Sequence, residues 1–218
     1  MALVMYDLDG TLINTAGEIA RAVNLTLADF NHGSVGDDEV RSWIGHGTGW
    51  LMKTAWQHTE GRDVEPWDEV MAHFIHHYEA TAGTTSTAFP YVLDTLRKAR
   101  DYGIKQAIIT NKERRFTDRV LEKHGLQAAF DVVICGDSLL VKKPDRAVID
   151  HCLAMLGATQ GESLFVGDSA IDVATAKAAG VVCWAVPYGY NLGQPIADAM
   201  PDRIVSDIRE VPNYFRHL

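Results

Sequence analysis

The stretch YDLDGTLINT, from Tyr6 to Thr15, places two carboxylates two positions apart, just after the apolar run ALVM. Residues i and i+2 of a strand lie on one face, and a turn can aim both side chains at a common point. Two like charges this close repel each other unless a cation lies between them or one carboxyl keeps its proton. Asp7 and Asp9 are therefore predicted to form half of a functional site at the end of a first strand.

The composition limits the class of protein and its partners. The chain has 218 residues and is 47% hydrophobic, enough to bury one large core or two modest ones. A net charge of −9 argues against a nucleic-acid or anionic-membrane partner, which would require a basic surface. No stretch resembles a signal peptide or a membrane span, and the three cysteines are widely spaced in apolar contexts. We therefore expect a reduced cytoplasmic protein, monomer or homodimer, with a small-molecule partner.

The second half of the chain alternates short apolar runs with helical stretches. The runs QAIIT, DVVIC, SLFVGD, VVCWAV and RIVS have the composition of strands buried on both faces. The segments ERRFTDRVLEKHG and AIDVATAKAAG between them have helical composition and end at glycine. This alternation predicts an α/β fold, a Rossmann-like parallel sheet flanked by helices and joined by right-handed crossovers.

A different pattern separates the first strand from this alternating part. Residues 14–81 show helical periodicity with hardly a strand candidate, and the segment GTTSTAF returns the chain to the α/β pattern. We predict an α/β core domain of residues 1–13 and 84–218, with a small α-helical cap domain of residues 14–83 inserted after the first strand. An insertion at that point lies over the carboxyl ends of the parallel strands, where such sheets bind ligands.

Polar residues follow the later strands at the sheet edge where Asp7 and Asp9 are expected. They form three pairs along the chain: Thr110 with Asn111, Lys142 with Lys143, and Asp168 with Asp172. Carboxylates suit Mg²⁺, which would also relieve the repulsion between Asp7 and Asp9, while Thr, Asn and Lys suit phosphoryl oxygens. The residues alone predict a magnesium site beside a phosphate site, with a carboxylate placed to attack phosphorus.

Simpler interpretations of single residues remain open at this point. Thr110 and Asn111 have side chains that commonly cap the helix that follows a strand. Asp172 has the position of an ordinary first-turn acid stabilised by the helix dipole. Lys142 is expected to be a solvated surface lysine.

The motifs DLDGT, IITN, KKP and GDSAID, in this order, resemble the four motifs of the haloacid dehalogenase (HAD) superfamily over essentially the whole chain. The resemblance implies that Asp7 is the nucleophile and a Mg²⁺ ligand. It implies that Asp9 is the general acid and base, and that Asp9 also ligates the metal through its backbone carbonyl. The inserted helices match the small α-helical cap that family members carry between the first and second motifs.

The same resemblance implies roles for the residues of the later motifs. Thr110, with Asn111 beside it, would bind phosphate, and Lys143, directly before Pro144, would be the motif lysine. Asp168 resembles the metal carboxylate, and Asp172 would support it in the metal site.

The resemblance also narrows the reaction. Asp9 is present, whereas haloacid dehalogenases proper lack the second acid, and DLDGT does not fit the phosphonatases. The C-terminal YGYNLG and the cap segment VRSWIGHGTGWLM resemble bacterial phosphoglycolate phosphatases. Three positions depart from that pattern: Tyr91 after FP, the missing proline in NKERRF, and the missing second proline after KPDR. The resemblance implies a Mg²⁺-dependent phosphatase that forms an aspartyl-phosphate, with 2-phosphoglycolate as the leading substrate.

Other functions remain open from the sequence. A phosphomutase of the β-phosphoglucomutase type shares all four motifs and the cap, and the substrate of a phosphatase could be another sugar phosphate or a nucleotide. A receiver-like signalling module uses similar residues on a parallel sheet, but such modules are one small domain without a cap.

Three sets of residues in the predicted cap lead to further predictions. His46, in GHGTG, is expected to contact substrate. His73, His76 and His77 have a spacing that could ligate zinc, but no second acidic or His-bearing helix is evident as a partner. We therefore expect exposed imidazoles on an amphipathic helix. The tryptophans Trp43, Trp50 and Trp56 are expected to form cap core.

Overall fold

A six-stranded parallel sheet carries the candidate site, and the computed structural model describes residues 1–61 and 63–217 of the chain. In chain order the strands and α-helices are β1 (Leu3–Tyr6), β2 (Ile13–Asn14), α1 (Ala16–Asp29), α2 (Asp37–Trp43), α3 (Thr48–Glu60), α4 (Trp67–Thr81), β3 (Thr87–Ala88), α5 (Val92–Asp101), β4 (Lys105–Ile109), α6 (Arg114–Lys123), β5 (Val132–Ile134), α7 (Ala147–Leu156), β6 (Ser163–Gly167), α8 (Ala170–Ala179), β7 (Val182–Ala185) and β8 (Arg203–Ile204). Short 3₁₀ segments lie at Gln127–Ala129, Gln160–Glu162, Asn191–Gly193, Ile196–Ala199 and Ile208–His217.

The strand order is β5-β4-β1-β6-β7-β8, and every pair in this sheet is parallel. The first strand lies inside the sheet, where Leu3 is opposite Lys105 on β4 and Ser163 on β6. Each of the five apolar runs in the second half of the chain forms one of the remaining strands. The prediction of a Rossmann-like α/β sheet is confirmed, and the carboxyl ends of β1, β4 and β6 lie side by side.

Side chains of β1 alternate between the two faces of the sheet, as the period of a strand requires. Val4 and Tyr6 pack into an apolar cluster with α5, α6 and the last 3₁₀ segment. Leu3 and Met5 pack into a second cluster with α7 and α8. Both faces are therefore covered, which explains why the strand sequences are apolar throughout rather than alternating.

The four helices α1 to α4 follow β1 and share a third apolar cluster. The chain leaves and returns through a short antiparallel ribbon, in which Ile13 of β2 lies opposite Ala88 of β3. Of the three tryptophans expected to form cap core, Trp56 is buried, but Trp50 is 40% exposed and Trp43 is half-buried. This expectation was therefore wrong for Trp50. The division into an α/β core domain and a cap domain of residues 14–83 stays a prediction.

The three cysteines lie inside the protein. Cys135, Cys152 and Cys183 are free and buried, and burial raises the pKa of the Cys152 thiol to about 12. Among residues 1–61 and 63–217, no helix combines the length and the apolar character that crossing a membrane would need.

Candidate active site

The first loop after β1 presents both acids of the opening stretch to one cavity. Asp7 extends the pairing with β6, because its backbone N–H donates to the carbonyl of Val166 at 2.9 Å. The side chain of Leu8, between the two acids, is buried in the apolar core. Asp7 and Asp9 both line the cavity between the sheet edge and the helices α1 to α4. The two carboxylates therefore lie on one side of the loop, as their spacing predicts.

Gly10 allows this loop to turn back against β6. Its φ of +84° is in the left-handed region, and a Cβ at this position would lie 2.4 Å from an oxygen of Asp168. A side chain at position 10 would therefore strain the backbone and displace a carboxylate of the site. This contact gives the glycine of DLDGT a physical role.

Asp168 follows β6 and is held by donors from two other parts of the chain. One of its oxygens accepts from the Thr11 hydroxyl at 2.8 Å, and the other accepts from the backbone N–H of Tyr190 at 2.7 Å. Both acids of GDSAID are buried, with Asp168 2% exposed and Asp172 fully enclosed. Oxygens of Asp7, Asp168 and Asp172 all lie within 4.8 Å of one another.

Lys143 is the cation of this acidic cluster. Its ammonium group lies 2.9 Å from Asp7 Oδ1 and 2.7 Å from Asp172 Oδ1, and its side chain is 2% exposed. Burial opposes a charge on this ammonium group, but the attraction of Asp172 and Asp7 prevails and raises the pKa of Lys143. The structure thus brings the second lysine of KKP into the site.

Asp172 has two structural tasks beside this ion pair. Its Oδ2 atom accepts from the backbone N–H groups of Asp168 and Ser169 at 3.1 and 3.0 Å, and from the Ser169 hydroxyl at 2.8 Å. Ser169 in turn accepts from the Asp172 backbone N–H, which completes a capping box at the start of α8. Asp172 therefore caps the helix and also anchors Lys143.

The acidic cluster is short of positive charge and fits a divalent cation. Burial raises the pKa of Asp7 to about 7, although Lys143 lowers it, and burial together with Asp172 raises the pKa of Asp168 well above the ordinary range. Three enclosed carboxylates facing one ammonium group carry excess negative charge. Mg²⁺ prefers oxygen ligands of this kind, so the donor set suits this ion.

Thr110 and Asn111 follow β4, and both line the cavity. The Asn111 amide donates to the carbonyls of Gly45 and Lys143 at 2.9 and 3.0 Å, so its side chain joins the segment after α2 to the loop that carries Lys143. The next helix, α6, begins at Arg114 with Glu113 as its N-cap residue. The simpler interpretation of Thr110 and Asn111 as helix caps is therefore wrong.

Lys112 is a site residue that the sequence reasoning missed. Its ammonium group lies 2.9 and 3.0 Å from the two carboxylate oxygens of Asp9, and it also donates to the hydroxyl of Tyr78 on α4. The lysine is buried and lines the cavity. The available signal was its place directly after IITN, where the chain leaves the sheet edge that carries the other motifs.

Asp9 has a second partner at the start of α1. The Thr15 hydroxyl donates to Asp9 Oδ1 at 2.6 Å, so Thr15 does not cap its own helix. The Tyr190 hydroxyl takes over that task, because it accepts from the backbone N–H groups of Thr15 and Ala16 at 2.9 and 3.1 Å. Tyr190 belongs to the YGYN stretch, and it joins the first turn of α1 to the loop that holds Asp168.

The segment around His46 forms the roof of the cavity. Gly45 and Gly47 line it, together with Ile44 and Leu51. The His46 ring is half-buried and lies 4.8 Å from the ring of Trp50, while the His46 carbonyl accepts from Lys142 at 2.6 Å. Lys142 is exposed, as expected of a surface lysine, and its ammonium group reaches the His46 carbonyl from the loop after β5. Contact between His46 and a substrate stays a prediction.

The chain is similar to known proteins over most of its length. The family described as "Haloacid dehalogenase-like hydrolase" matches residues 4–186. Phosphoglycolate phosphatase 1 of Pseudomonas aeruginosa is 38% identical over 212 residues, which cover 96% of this chain and 78% of that protein. A phosphoglycolate phosphatase of Aliivibrio fischeri is 36% identical over 94% of this chain and 92% of its own length.

A solved structure shares the fold over nearly the whole length. The crystal structure of a predicted phosphoglycolate phosphatase from Haemophilus somnus 129pt superposes with a TM-score of 0.94 and 29% identity, covering 98% of this chain and 97% of that one. The family match includes the inserted helices, all four motifs and every strand of the large sheet except β8. This chain therefore belongs to the haloacid dehalogenase-like hydrolases.

Proposed function

We propose that this hydrolase is a Mg²⁺-dependent phosphatase that cleaves a small phosphate monoester through an aspartyl-phosphate, with 2-phosphoglycolate as the leading substrate. One observation carries the proposal. The carboxylates of Asp7, Asp9 and Asp168 meet Thr110 and Lys112 around a single cavity, beside the buried Lys143. This set provides a nucleophile, a proton carrier and donors for phosphoryl oxygens within one enclosed space.

The side chains of Asp7 and Asp168, with the backbone carbonyl of Asp9, would hold Mg²⁺. When bound, the ion neutralises the carboxylates and polarises a phosphoryl oxygen. Both oxygens of Asp172 already accept hydrogen bonds from Lys143, Ser169 and the backbone of Asp168. We therefore assign Asp172 the task of supporting the metal ligands by fixing Lys143 and the loop of Asp168.

The residues of this site can catalyse phosphoryl transfer in two steps, first to Asp7 and then to water. Asp7 is oriented by the Leu8 N–H at 2.7 Å and by Lys143, and its carboxylate attacks phosphorus as the ester P–O bond breaks. Asp9 gives its proton to the departing alkoxide oxygen. In the second step, Asp9 takes a proton from water while that water attacks phosphorus, and the bond to Asp7 breaks to release phosphate. Thr110 and Lys143 hold the phosphoryl oxygens throughout.

The position of Lys112 favours a substrate whose leaving group carries a negative charge. The Lys112 ammonium group lies in the cavity between Asp9 and the Tyr78 hydroxyl of α4, where it can attract an anion on the part of the substrate beyond phosphorus. The glycolate part of 2-phosphoglycolate carries such a carboxylate. A neutral sugar phosphate lacks this charge, so the position of Lys112 supports the acidic substrate over sugar phosphates.

Phosphate release from a panel of esters tests the proposal. We expect rapid release from 2-phosphoglycolate with Mg²⁺, slower release from glucose 1-phosphate, AMP and nitrophenyl phosphate, and loss of activity in EDTA. Full activity after chelation would contradict the metal requirement. Conversion of β-glucose 1-phosphate to glucose 6-phosphate with a bisphosphate activator, without net phosphate release, would instead establish the phosphomutase alternative.

A variant tests the substrate class separately. Lys112→Met should raise KM for 2-phosphoglycolate by at least about tenfold relative to its change for nitrophenyl phosphate, since only the former offers a carboxylate to the lysine. Tyr78→Phe is the matched control, because it removes the cap hydroxyl that contacts the ammonium group but keeps the charge. Equal KM changes for both esters in Lys112→Met would contradict an acidic substrate while leaving phosphatase activity intact.

A further inference from the structure

A second group of metal-ligating side chains lies on the helices α1 and α4, away from the sheet edge. Asp29 is the last residue of α1, and His73 and His77 lie one turn apart on α4. The carboxylate oxygen Oδ2 of Asp29 lies 2.6 Å from His73 Nδ1 and 2.6 Å from His77 Nε2. We propose that these three side chains form a binding site for a transition metal ion, with Zn²⁺ as the best fit.

The spacing of the donor atoms suits this ion. One nitrogen of each ring and one oxygen of Asp29 all lie within 4.8 Å of one another. Tetrahedral zinc with bonds near 2.0–2.1 Å separates its ligand atoms by about 3.3 Å. Opening each of the two hydrogen bonds by about 0.7 Å would therefore create the space for an ion, a displacement within the range of side-chain rotation.

The chemistry of the ligands separates this site from the acidic cluster at the sheet edge. Two imidazoles and one carboxylate suit Zn²⁺, Co²⁺ or Ni²⁺, whereas Mg²⁺ prefers oxygen ligands alone. The side chains of Asp29, His73 and His77 are 35%, 43% and 19% exposed, so an ion can enter from solvent and water can complete its coordination. The expectation that the α4 histidines lack an acidic partner helix was wrong, because packing brings the end of α1 against them.

The surroundings already orient the ligands. The His73 ring packs against the edge of Phe30, with ring centres 5.2 Å apart and planes at 64°. Helices α1 and α4 pack along each other within one apolar cluster, which includes Val23 and Phe74. Rings and carboxylate are thus preorganised, which lowers the entropy lost when an ion binds.

A metal ion bound at this site would hold α1 and α4 together, and both helices also line the catalytic cavity. Asp29 lies about 20 Å along α1 from Thr15, which contacts Asp9. His77 directly precedes Tyr78, whose hydroxyl contacts Lys112. The ion would therefore stabilise α1 against α4 without touching the residues that perform the chemistry, so its main effect is expected on stability.

Calorimetric titration of the intact protein with Zn²⁺, in a large excess of Mg²⁺ that occupies the sheet-edge cluster, tests the proposal. We expect one ion per chain, an absorption spectrum of tetrahedral Co²⁺ on cobalt substitution, and a rise in Tm of about 5 °C or more at zinc well above its Kd. Asp29→Asn and His77→Ala should each weaken zinc binding by at least about tenfold.

Two controls decide where any bound zinc lies. His76→Ala changes a neighbouring exposed imidazole of the same helix, and it should bind zinc as the natural chain does. Asp168→Asn removes a carboxylate of the sheet-edge cluster and should also leave zinc binding unchanged. No zinc binding by the natural chain would overturn the proposal. Loss in Asp168→Asn, or equal losses in His76→Ala and His77→Ala, would do the same.

Discussion

The two sides of the catalytic cavity are built differently. On the sheet side, Asp7, Asp168 and Lys143 are each under 10% exposed and are held by ion pairs and hydrogen bonds within the core. On the helical side, the lining is mostly apolar and glycine, as in Ile44 and Gly45. The contacts between the two sides include hydrogen bonds from Asn111 and Lys142 to backbone carbonyls, and the packing of Phe116 against Tyr78 with ring centres 4.2 Å apart.

This difference assigns the chemical step to the sheet side and the choice of substrate to the helical side. A buried charge network tolerates little displacement, because moving one member leaves another charge without its partner. Apolar contacts and backbone carbonyls can shift without such a penalty, so we expect the helical side to adjust to a substrate more readily than the sheet side. We therefore expect changes on the sheet side to affect rate or folding, and changes on the helical side to affect substrate preference.

The largest expected effect comes from the proposed nucleophile on the sheet side. Asp7→Asn should lower kcat by at least about 10⁴-fold for every ester, because an amide cannot form the aspartyl-phosphate. Rapid-mix mass spectrometry should show the added phosphate mass on the natural chain and not on the variant. A phosphorylated Asp7→Asn protein would mean that another residue is the nucleophile.

The next effect depends on the leaving group. Asp9→Asn should reduce turnover of an alkyl phosphate by about 10²–10⁴-fold, since an alkoxide needs a proton to leave. A nitrophenyl ester has a better leaving group, so the variant should still accept phosphate from it and then hold the phosphoenzyme, because water lacks its base. Near-normal turnover of alkyl esters by Asp9→Asn would contradict the acid and base role.

The third effect concerns folding and compares two neighbouring lysines. Lys143→Met should destabilise the metal-free protein by about 3–5 kcal/mol, because Asp7 and Asp172 lose their buried counter-charge. The ammonium group of Lys142 donates to the His46 carbonyl and forms no described ion pair. Lys142→Met should therefore lower the free energy of unfolding by about 1 kcal/mol or less. Denaturant unfolding measures both, and equal losses would argue against a charge network. Added Mg²⁺ should stabilise Lys143→Met more than the natural chain.

A smaller effect is expected on the helical side. His46→Ala should change the preference among esters by up to about tenfold while altering the rate with nitrophenyl phosphate by about twofold or less. His58→Ala, on the same group of helices but paired with Glu39, is the matched control and should change neither quantity. Kinetic constants for each ester provide the measurement. A uniform loss on all esters in His46→Ala would indicate a structural role instead.

The smallest effect concerns Glu18, which ties α1 to the returning chain. The side chain is 1% exposed and accepts from the backbone N–H groups of Gly83 and Ser86 at 2.8 and 3.2 Å. Burial raises the pKa of Glu18, although the Gly83 hydrogen bond opposes this. A carboxyl with a raised pKa contributes most to stability below its ordinary range, and the contribution falls as pH rises through the raised value.

Glu18→Gln keeps an acceptor oxygen but has no charge to bury. Its Tm should therefore exceed that of the natural chain by about 2–4 °C near pH 8, and the two should converge as pH falls below about 4, the ordinary pKa of a glutamate. Thermal melting across this range measures the difference. Glu79→Gln, at a 40% exposed acid of α4, should show no comparable trend. A constant difference at every pH would show that burial of the Glu18 charge is unimportant.

Local sequence determined the sheet and the order of the motifs. Apolar runs bounded by glycine and polar residues specify strands and helices within about ten residues of themselves, and parallel strands place their carboxyl ends at one edge. For this reason Asp7, Asp9, Thr110 and Asp168 could be assigned to one site before any coordinates. The inserted helices could be recognised in the same way, from periodicity alone.

Contacts between distant side chains were decided only by the tertiary structure. The pairing of Lys112 with Asp9, of Lys142 with the His46 carbonyl, and of Asp29 with two histidines joins segments between 44 and 103 positions apart. Such contacts depend on how the four helices pack against each other and over the sheet, and on the direction in which each side chain leaves its backbone. The apolar patterns of strands and helices specify neither the packing of the helices nor the direction of each side chain, because many packing angles satisfy the same apolar periodicity.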